Sequence, residues 1–184
     1  MDIFSQLFKR DQIVKLQRKN DLDHELEYQS ELIINRGFEV LSILQKEADR
    51  LLLYRHFYED VSKEEETSII LGIRIVSRKG IHYPDPMLKA FFDETFQNIS
   101  LADIDIDKSF ANNGYGSILL SNLVQIANAR NVKDITGWIS NVDRDHLDRL
   151  VHFYKKHGFE VNLEVQNENQ LKIGNIRWKN NKKP

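Results

Sequence analysis

Two glycines stand in a short polar stretch, ANNGYGS, that spans Ala111 to Ser117. The residues before it alternate as in a strand and those after it are spaced as in a helix, so the glycines fall in the connecting turn. Glycine lets the backbone approach a ligand closely, and the free amides at a helix start carry the positive end of the helix dipole. The stretch therefore predicts an anion site. The alternative is a plain tight turn, which needs the same glycines.

Carboxylates precede this turn and a phenol follows it. Asp103 and Asp105 lie in the strand, where a carboxylate could take the proton of an amine directly or through a water. The alternative is that both form the solvent face of a half-buried strand. Tyr154 lies in a later helix, and its phenol is neutral at pH 7. An amphipathic helix would also accommodate this tyrosine without any chemistry.

Thiol and metal chemistry are not indicated. The chain has no cysteine, which excludes disulfides, thiolate zinc sites and a cysteine nucleophile from its own side chains. His146, His152 and His157 lie in or beside one helix, but spacings of six and five residues do not bring them to one helix face. We therefore expect surface or edge histidines and no metal site.

The N-terminal half supplies helices and then strands. Residues 1–36 carry spaced apolar side chains among dense charges, which predicts a segment with two helices. Three runs rich in β-branched, aromatic and leucine residues follow, FEVLSIL, RLLLYRHFY and TSIILGIRIV, and they predict consecutive antiparallel strands. SRKGIHYPDP contains a glycine and two prolines and predicts an irregular loop, whereas MLKAFFDETF predicts a short helix.

The C-terminal half alternates strands and helices. In QNISLADIDID, Ile99 and Leu101 keep one phase and Ile104 and Ile106 the other, which predicts a bulge near residues 102–103. There follow a helix (SILLSNLVQIANARN), a strand (VKDITGWIS), a helix ended by a glycine (DHLDRLVHFYKKHG) and a hairpin (FEVNLEV, QLKIGNIRW). The order predicts an α/β fold with a mixed, mostly antiparallel central sheet and flanking helices.

Length and charge set the frame for these elements. The 184 residues suit one compact domain with an extension, and we predict an N-terminal helical segment at 1–36, a folded domain at 37–178 and a polar tail at 179–184. The formal net charge of -2 provides no global field for nucleic acid or an anionic membrane. The chain has neither the apolar run of a signal peptide nor that of a membrane span, so we expect a cytoplasmic protein without a membrane partner.

Two motifs taken together resemble the GCN5-related N-acetyltransferase (GNAT) family. In that family the turn reads Arg or Gln, two residues, Gly, one residue, then Gly or Ala, and a later helix ends in an aromatic-Tyr-x-Lys-x-Gly-Phe run. The matching stretches are Ala111–Gly116 and Phe153–Phe159, and the resemblance covers about the C-terminal half of the chain. Ala111 replaces the family's Arg or Gln, and Leu147 stands where an asparagine often precedes the tyrosine.

The resemblance implies a GNAT fold in which acetyl-CoA is the cosubstrate and an amine attacks it directly. The turn amides would hold the CoA pyrophosphate, the main chain around Ile104 to Ile106 would pair with the pantetheine arm, and the Ile106 amide would polarise the thioester carbonyl. Tyr154 would protonate the departing thiolate. The implied cofactor-binding residues are Ile104, Asp105, Ile106, Asn112, Asn113, Gly114, Tyr115, Gly116, Ser117, Asn141 and Tyr154. The implied catalytic residues are Tyr154, Ile106 and Asp105.

Several acceptors and two other function classes stay open. The acceptor amine could belong to a small molecule or to a protein. One alternative is a catalytically inactive GNAT-like interaction or regulatory module that uses the charged N-terminal segment, including a homodimer through its helices; the plain interpretation of those charges is a solvated helix face. The other is a nucleic-acid-binding protein that uses Lys9 to Lys19 and the KNNKKP tail, against which the net charge and the intervening acidic run count.

Overall fold

The computed structural model describes residues 12–19, 21–57, 62, 65–164 and 171–181, which fold into two compact units. The first unit holds the described residues up to Glu66 together with Ile70–Leu88 and Ile104–Gly116. The second holds Thr67–Ile69, Lys89–Asp103 and the described residues from Ser117 onward. The three-part division made from the sequence stays a prediction.

Strands and helices follow one another as a mixed α/β chain. They are β1 (Gln12–Val14), α1 (Leu22–Ile34), β2 (Phe38–Lys46), β3 (Asp49–His56), β4 (Ser68–Ser77), β5 (Gly80–Tyr83), β6 (Met87–Phe92), β7 (Asn98–Asp105), α2 (Tyr115–Ala129), β8 (Asp134–Ser140), α3 (Leu147–Lys156), β9 (Glu160–Leu163) and β10 (Lys172–Lys179), with short 3-10 helices at Lys108–Phe110 and Asn141–His146. No helix in the described part of the chain is long and apolar enough to cross a membrane.

An antiparallel sheet forms the body of the first unit, with β1, β5, β4, β3 and β2 paired in that order. Helix α1 begins after Asp21, whose carboxylate accepts a hydrogen bond from the His24 amide at 3.0 Å. Its apolar face, with Leu26 and Ile33, packs into a buried cluster with strand residues such as Tyr54. Each buried Leu or Ile contributes about 1.5–3 kcal/mol to folding.

A buried polar network joins α1 to the strands of the first unit. The Arg74 guanidinium donates to both oxygens of Asp85 at 2.8 and 3.0 Å and to the side chain of Gln29 on α1. The Tyr54 hydroxyl donates to Asp85 at 2.6 Å, and Gln29 donates to Glu25 at 2.9 Å. Since a buried charge is costly without partners, these bonds specify how α1 docks.

The second unit contains the one parallel pairing among the strand pairs described here. Strand β7 runs parallel to β8, β8 pairs antiparallel with β10, and β10 pairs antiparallel with β9. Helix α2 buries Leu119, Leu120, Leu123 and Ala127 completely. Helix α3 ends where Gly158 adopts a left-handed φ of 80°, as the glycine in the sequence predicts.

Most of the predicted elements are confirmed, and three are corrected. MLKAFF is strand β6 rather than a helix, because Leu88, Ala90 and Phe92 are buried in a period of two. The loop SRKGIHYPDP contains strand β5, which pairs with β1 and β4. Of the predicted N-terminal helices, α1 is present, whereas Gln12–Val14 form a strand and residues 1–11 lie outside the described residues.

Candidate active site

The polar turn predicted as an anion site lies in the first unit, between β7 and α2. A 3-10 turn at Lys108–Phe110 leads into it, and residues 111–114 are exposed. Asn112 and Gly114 have positive φ angles of 65° and 79°. A Cβ atom at Gly114 would meet nothing within 4 Å, so the left-handed backbone, and not crowding, favours glycine there.

Backbone amides at the start of α2 are available to an anion. The first amides of a helix have no partner within it, which leaves those of Tyr115, Gly116 and Ser117 free of the helix ladder. The Asn113 amide is different, since it donates to the Phe110 carbonyl at 3.3 Å and is engaged in the turn. The predicted cradle is therefore narrower than the full stretch from Asn112 to Ser117.

Side chains beneath the turn fix the position of these amides. The Tyr115 ring is 5% exposed and stands edge-on to Phe110, with the ring centroids 6.0 Å apart. Phe110 in turn stands edge-on to His82 at 5.5 Å. Tyr115 thus anchors the helix start with its side chain and offers only its backbone to a ligand.

Strand β7 changes its inward face where the sequence predicts a bulge. Leu101 is buried, Ala102 and Asp103 are both exposed, and Ile104 is half-buried. In the last part of the strand and just after it, Asp105 is exposed and Ile106 half-buried. Two successive exposed residues break the alternation, which is the expected sign of a shifted phase.

Strands β7 and β8 pair over a short parallel stretch in the second unit and then diverge. Their register covers only Asn98–Ser100 against Asp134–Thr136, although β7 continues to Asp105 and β8 to Ser140. From Leu101 onward the β7 main chain therefore has no ladder partner in β8. Unpaired strand edges of this kind can pair with an extended ligand.

A groove of about 640 Å³ opens where these two strands diverge. Trp138 and Leu171 form its apolar wall and are 55% and 81% exposed. The described residues that line it are Ser100, Leu101, Ala102, Thr136, Gly137, Trp138, Leu171, Lys172 and Asn175, and none of these carries a carboxylate. Exposed large apolar side chains around a concave surface are typical of a binding site.

Tyr154 lies half-buried near the end of α3 in the second unit. Its ring contacts those of Phe153 and Phe159, with centroid distances of 5.1 and 5.7 Å. Burial, with a smaller effect of the negative charges of Asp143 and Asp103, raises the pKa of the Tyr154 phenol to about 12. The phenol therefore keeps its proton at neutral pH and can act as a donor.

A contact that the sequence did not predict joins α3 to the first turn of α2. The Nε2 atom of His157 lies 3.0 Å from the Oγ atom of Ser117, which is among the predicted cofactor-binding residues. Burial and the nearby Lys156 charge lower the pKa of His157, so the ring is neutral at pH 7. His157 thus orients the Ser117 hydroxyl at the helix start.

Asn141 stands directly after β8, as predicted. Its backbone amide donates to the Leu171 carbonyl at 2.8 Å, and its Oδ1 atom is buried without a hydrogen-bond partner in the described part of the chain. The predicted site residues from Ile104 to Gly116 thus lie in the first unit, and Ser117, Asn141 and Tyr154 in the second. Asp105 belongs to the first unit, whereas Asp103 is the strand aspartate whose charge acts on Tyr154 in the second.

Several known proteins are similar to the chain. Uncharacterized protein YocC of Bacillus subtilis (strain 168) is 39% identical over 80 residues, which cover 44% of this chain and 44% of that protein, so the match spans less than half of the relative. A GNAT family acetyltransferase from Elizabethkingia anophelis with acetyl-CoA bound is 16% identical, with a TM-score of 0.47 over 73% of this chain and 99% of that chain. PaiA N-acetyltransferase from Thermoplasma acidophilum in complex with coenzyme A is 12% identical, with a TM-score of 0.45 over 62% of each chain. Residues 44–159 match the model of the acetyltransferase (GNAT) family, and they make up more than half of the sequence. The chain therefore belongs to the GNAT acetyltransferase family.

Proposed function

We propose that this protein transfers the acetyl group of acetyl-CoA to an amine by direct attack. The observation that carries the proposal is the early end of the β7–β8 pairing at Ser100 and Thr136. It leaves the main chain that leads to Ile104–Ile106 without a ladder partner in β8, and an extended pantetheine arm offers the amide groups to fill that place. The free amides of Tyr115, Gly116 and Ser117 suit the pyrophosphate of the same cosubstrate.

The chemical step divides among three groups of this chain. The neutral amine attacks the thioester carbonyl, and the Ile106 amide donates to the oxygen that becomes negative, an effect typically worth about 3–4 kcal/mol. As the carbon–sulfur bond breaks, the Tyr154 hydroxyl donates to the departing sulfur. A strand carboxylate, either Asp105, as the sequence predicts, or Asp103, takes the proton that the nitrogen loses. One proton finally binds the sulfur, so that CoA leaves as the thiol.

The high pKa of Tyr154 indicates how its hydroxyl acts on the departing sulfur. A thiol has an ordinary pKa of about 8.5, well below the value of about 12 that burial gives this phenol. Complete proton transfer from the phenol to the thiolate is therefore uphill. Tyr154 stabilises the leaving sulfur chiefly through its hydrogen bond, and the proton of the amine completes the product.

We propose that the pantetheine arm takes the β7 edge of the groove and that the acceptor takes the side formed by Trp138 and Leu171. Because none of the groove's described lining residues carries a carboxylate, these residues offer no countercharge to a polycationic amine. Trp138 and Leu171 instead offer apolar contact to a flat or branched body attached to the amine. We therefore expect amines with an aromatic or large aliphatic group to be better acceptors than polyamines.

Binding and turnover together test the proposal. Calorimetry should detect binding of acetyl-CoA and CoA, and a thiol-release assay with a panel of aryl, alkyl and polyamine acceptors should detect transfer. Binding without any release would favour the alternative of an inactive GNAT-like interaction or regulatory module. No binding of either ligand at millimolar concentration would exclude the proposed cosubstrate.

A further inference from the structure

Three buried polar atoms in the 3-10 helix after β8 have no hydrogen-bond partner among the described residues. They are Oδ1 of Asn141 and both Nε and Nη2 of Arg144. Buried polar atoms in folded proteins almost always have a partner, and a charged side chain is the costliest kind to leave without one. No group in the described part of the second unit bonds to these atoms, so a ligand is the natural candidate.

The geometry of the unpartnered edge fits an oxyanion best. Nε and Nη2 form one side of the planar guanidinium, and their N–H bonds point in parallel. This fork matches two oxygens of a single carboxylate or phosphate. Asp145 and Asp148 line the same hollow of about 460 Å³ as Arg144, yet neither carboxylate accepts a hydrogen bond from the fork.

Asn141 adds a second feature to the ligand. A 3-10 helix has three residues per turn, so side chains three apart lie one above the other on the same face. Asn141 and Arg144 have this spacing within Asn141–His146. The two residues therefore lie on the same helix face, and an oxyanion with an N–H group nearby would suit an unpartnered guanidinium edge and an unpartnered carbonyl oxygen on that face.

We propose that Arg144 binds an oxyanion of a ligand in the transfer reaction, while Asn141 accepts a hydrogen bond from a neighbouring N–H group. The identity of the ligand rests on the proposed function, which offers two sources of the same chemistry. One is the 3′-phosphate of CoA and the other is a carboxylate on the acceptor.

Three probes separate the two sources in the full chain. They are CoA, 3′-dephospho-CoA and N-acetylglycine, which has a carboxylate next to an N–H group. Calorimetry measures their dissociation constants for the wild type, Arg144→Gln, Arg144→Lys and Arg149→Gln. Arg149 is an exposed arginine of the same hollow and serves as the matched control.

Loss of the fork in Arg144→Gln should weaken the binding of an anionic probe about tenfold or more. Arg144→Lys should recover only part of this affinity because lysine lacks the planar edge. If the source is the 3′-phosphate, the loss appears with CoA and disappears with 3′-dephospho-CoA. If the source is the acceptor, both forms of CoA bind normally and N-acetylglycine does not.

Equal dissociation constants of the wild type and Arg144→Gln for all three probes would overturn the inference, as would an equal loss in Arg149→Gln. Should the glutamine variant fail to fold, the Nε–H signal of Arg144 in the NMR spectrum of the wild type decides: it must shift saturably with one of the probes. Failure of the wild type to bind CoA at all would count against the proposed function, and the N-acetylglycine titration would still decide for or against the role of Arg144.

Discussion

Replacing Tyr154 by phenylalanine separates chemistry from folding, because the ring stays and only the donor is removed. The ring contacts with Phe153 and Phe159 are retained, and the hydroxyl has no hydrogen bond to other described residues to lose. We therefore expect the free energy of unfolding to change by less than about 0.5 kcal/mol. Removal of a preorganised donor at a developing charge costs about 2.7–4 kcal/mol, which lowers kcat about 100- to 1000-fold.

The assay is the release of CoA thiol with the best amine of the panel, measured together with the dissociation constant of CoA, which should not change. Tyr28→Phe, on helix α1 in the other unit, is the matched control and should keep full activity. A rate for Tyr154→Phe within threefold of the wild type would remove this tyrosine from the chemical step.

The pH dependence gives a second readout of the same side chain. Its pKa of about 12 means that the reaction should not lose activity near pH 10, where an ordinary tyrosine ionises. In the unfolded chain the phenol loses its proton near pH 10, whereas the folded protein keeps it. The stabilising contribution of Tyr154 is thus complete below pH 10 and is lost as the pH rises through about 12. An alkaline loss of rate centred at pH 10 that Tyr154→Phe abolishes would refute the burial argument.

Three further substitutions test separate parts of the molecule. Gly72→Ala should lower the free energy of unfolding by about 3 kcal/mol in a denaturant titration, because the new Cβ would lie 2.3 Å from the Tyr54 ring and displace its hydroxyl from the buried network; an unchanged midpoint would show that the ring can move freely. Trp138→Ala should raise KM for an aromatic amine about tenfold with little change in kcat, and equal KM values would place the acceptor elsewhere. Ala111→Arg restores the side chain common in the family and should tighten CoA binding severalfold in calorimetry, whereas Ala111→Leu should not; no gain with arginine would argue against phosphate at this turn.

Local patterns predicted most of the fold because burial and period agree in them. The runs that became β2, β3 and β4 are apolar enough to identify as strands without tertiary information. The helix predicted for MLKAFFDETF was wrong because a short apolar run such as MLKAFF fits a helix as well as a strand until its partners are known. The SRKGIHYPDP segment was misread for a related reason, since its prolines hid the four-residue strand β5 that pairs with two neighbours.

The sequence predicts candidate site residues only where they lie close together along the chain. The glycine turn and Tyr154 belong to compact motifs, so the sequence pointed to both. The contact between Ser117 and His157 joins residues 40 positions apart, and no local sequence pattern predicts it. Trp138 did leave a signal, because Ile135 and Ile139 share one phase of β8 and the indole falls in the other, which predicts an exposed face.

Tyr154 and Asp103 of the second unit have opposite roles in the proposed reaction, donor and base, and their surroundings differ accordingly. Tyr154 is buried against aromatic rings, and the charges of Asp143 and Asp103 further oppose its ionisation. Asp103 itself is exposed on β7, where water and an incoming amine can reach it. Burial keeps the Tyr154 phenol protonated, whereas the exposure of Asp103 would let its carboxylate take up the proton of the nucleophile in the proposed reaction. Asp105 is exposed as well, but of the two aspartates Asp103 is the one whose charge acts on Tyr154. Asp103→Asn should therefore slow thiol release more than Asp105→Asn does, most strongly at low pH, where few amine molecules are neutral.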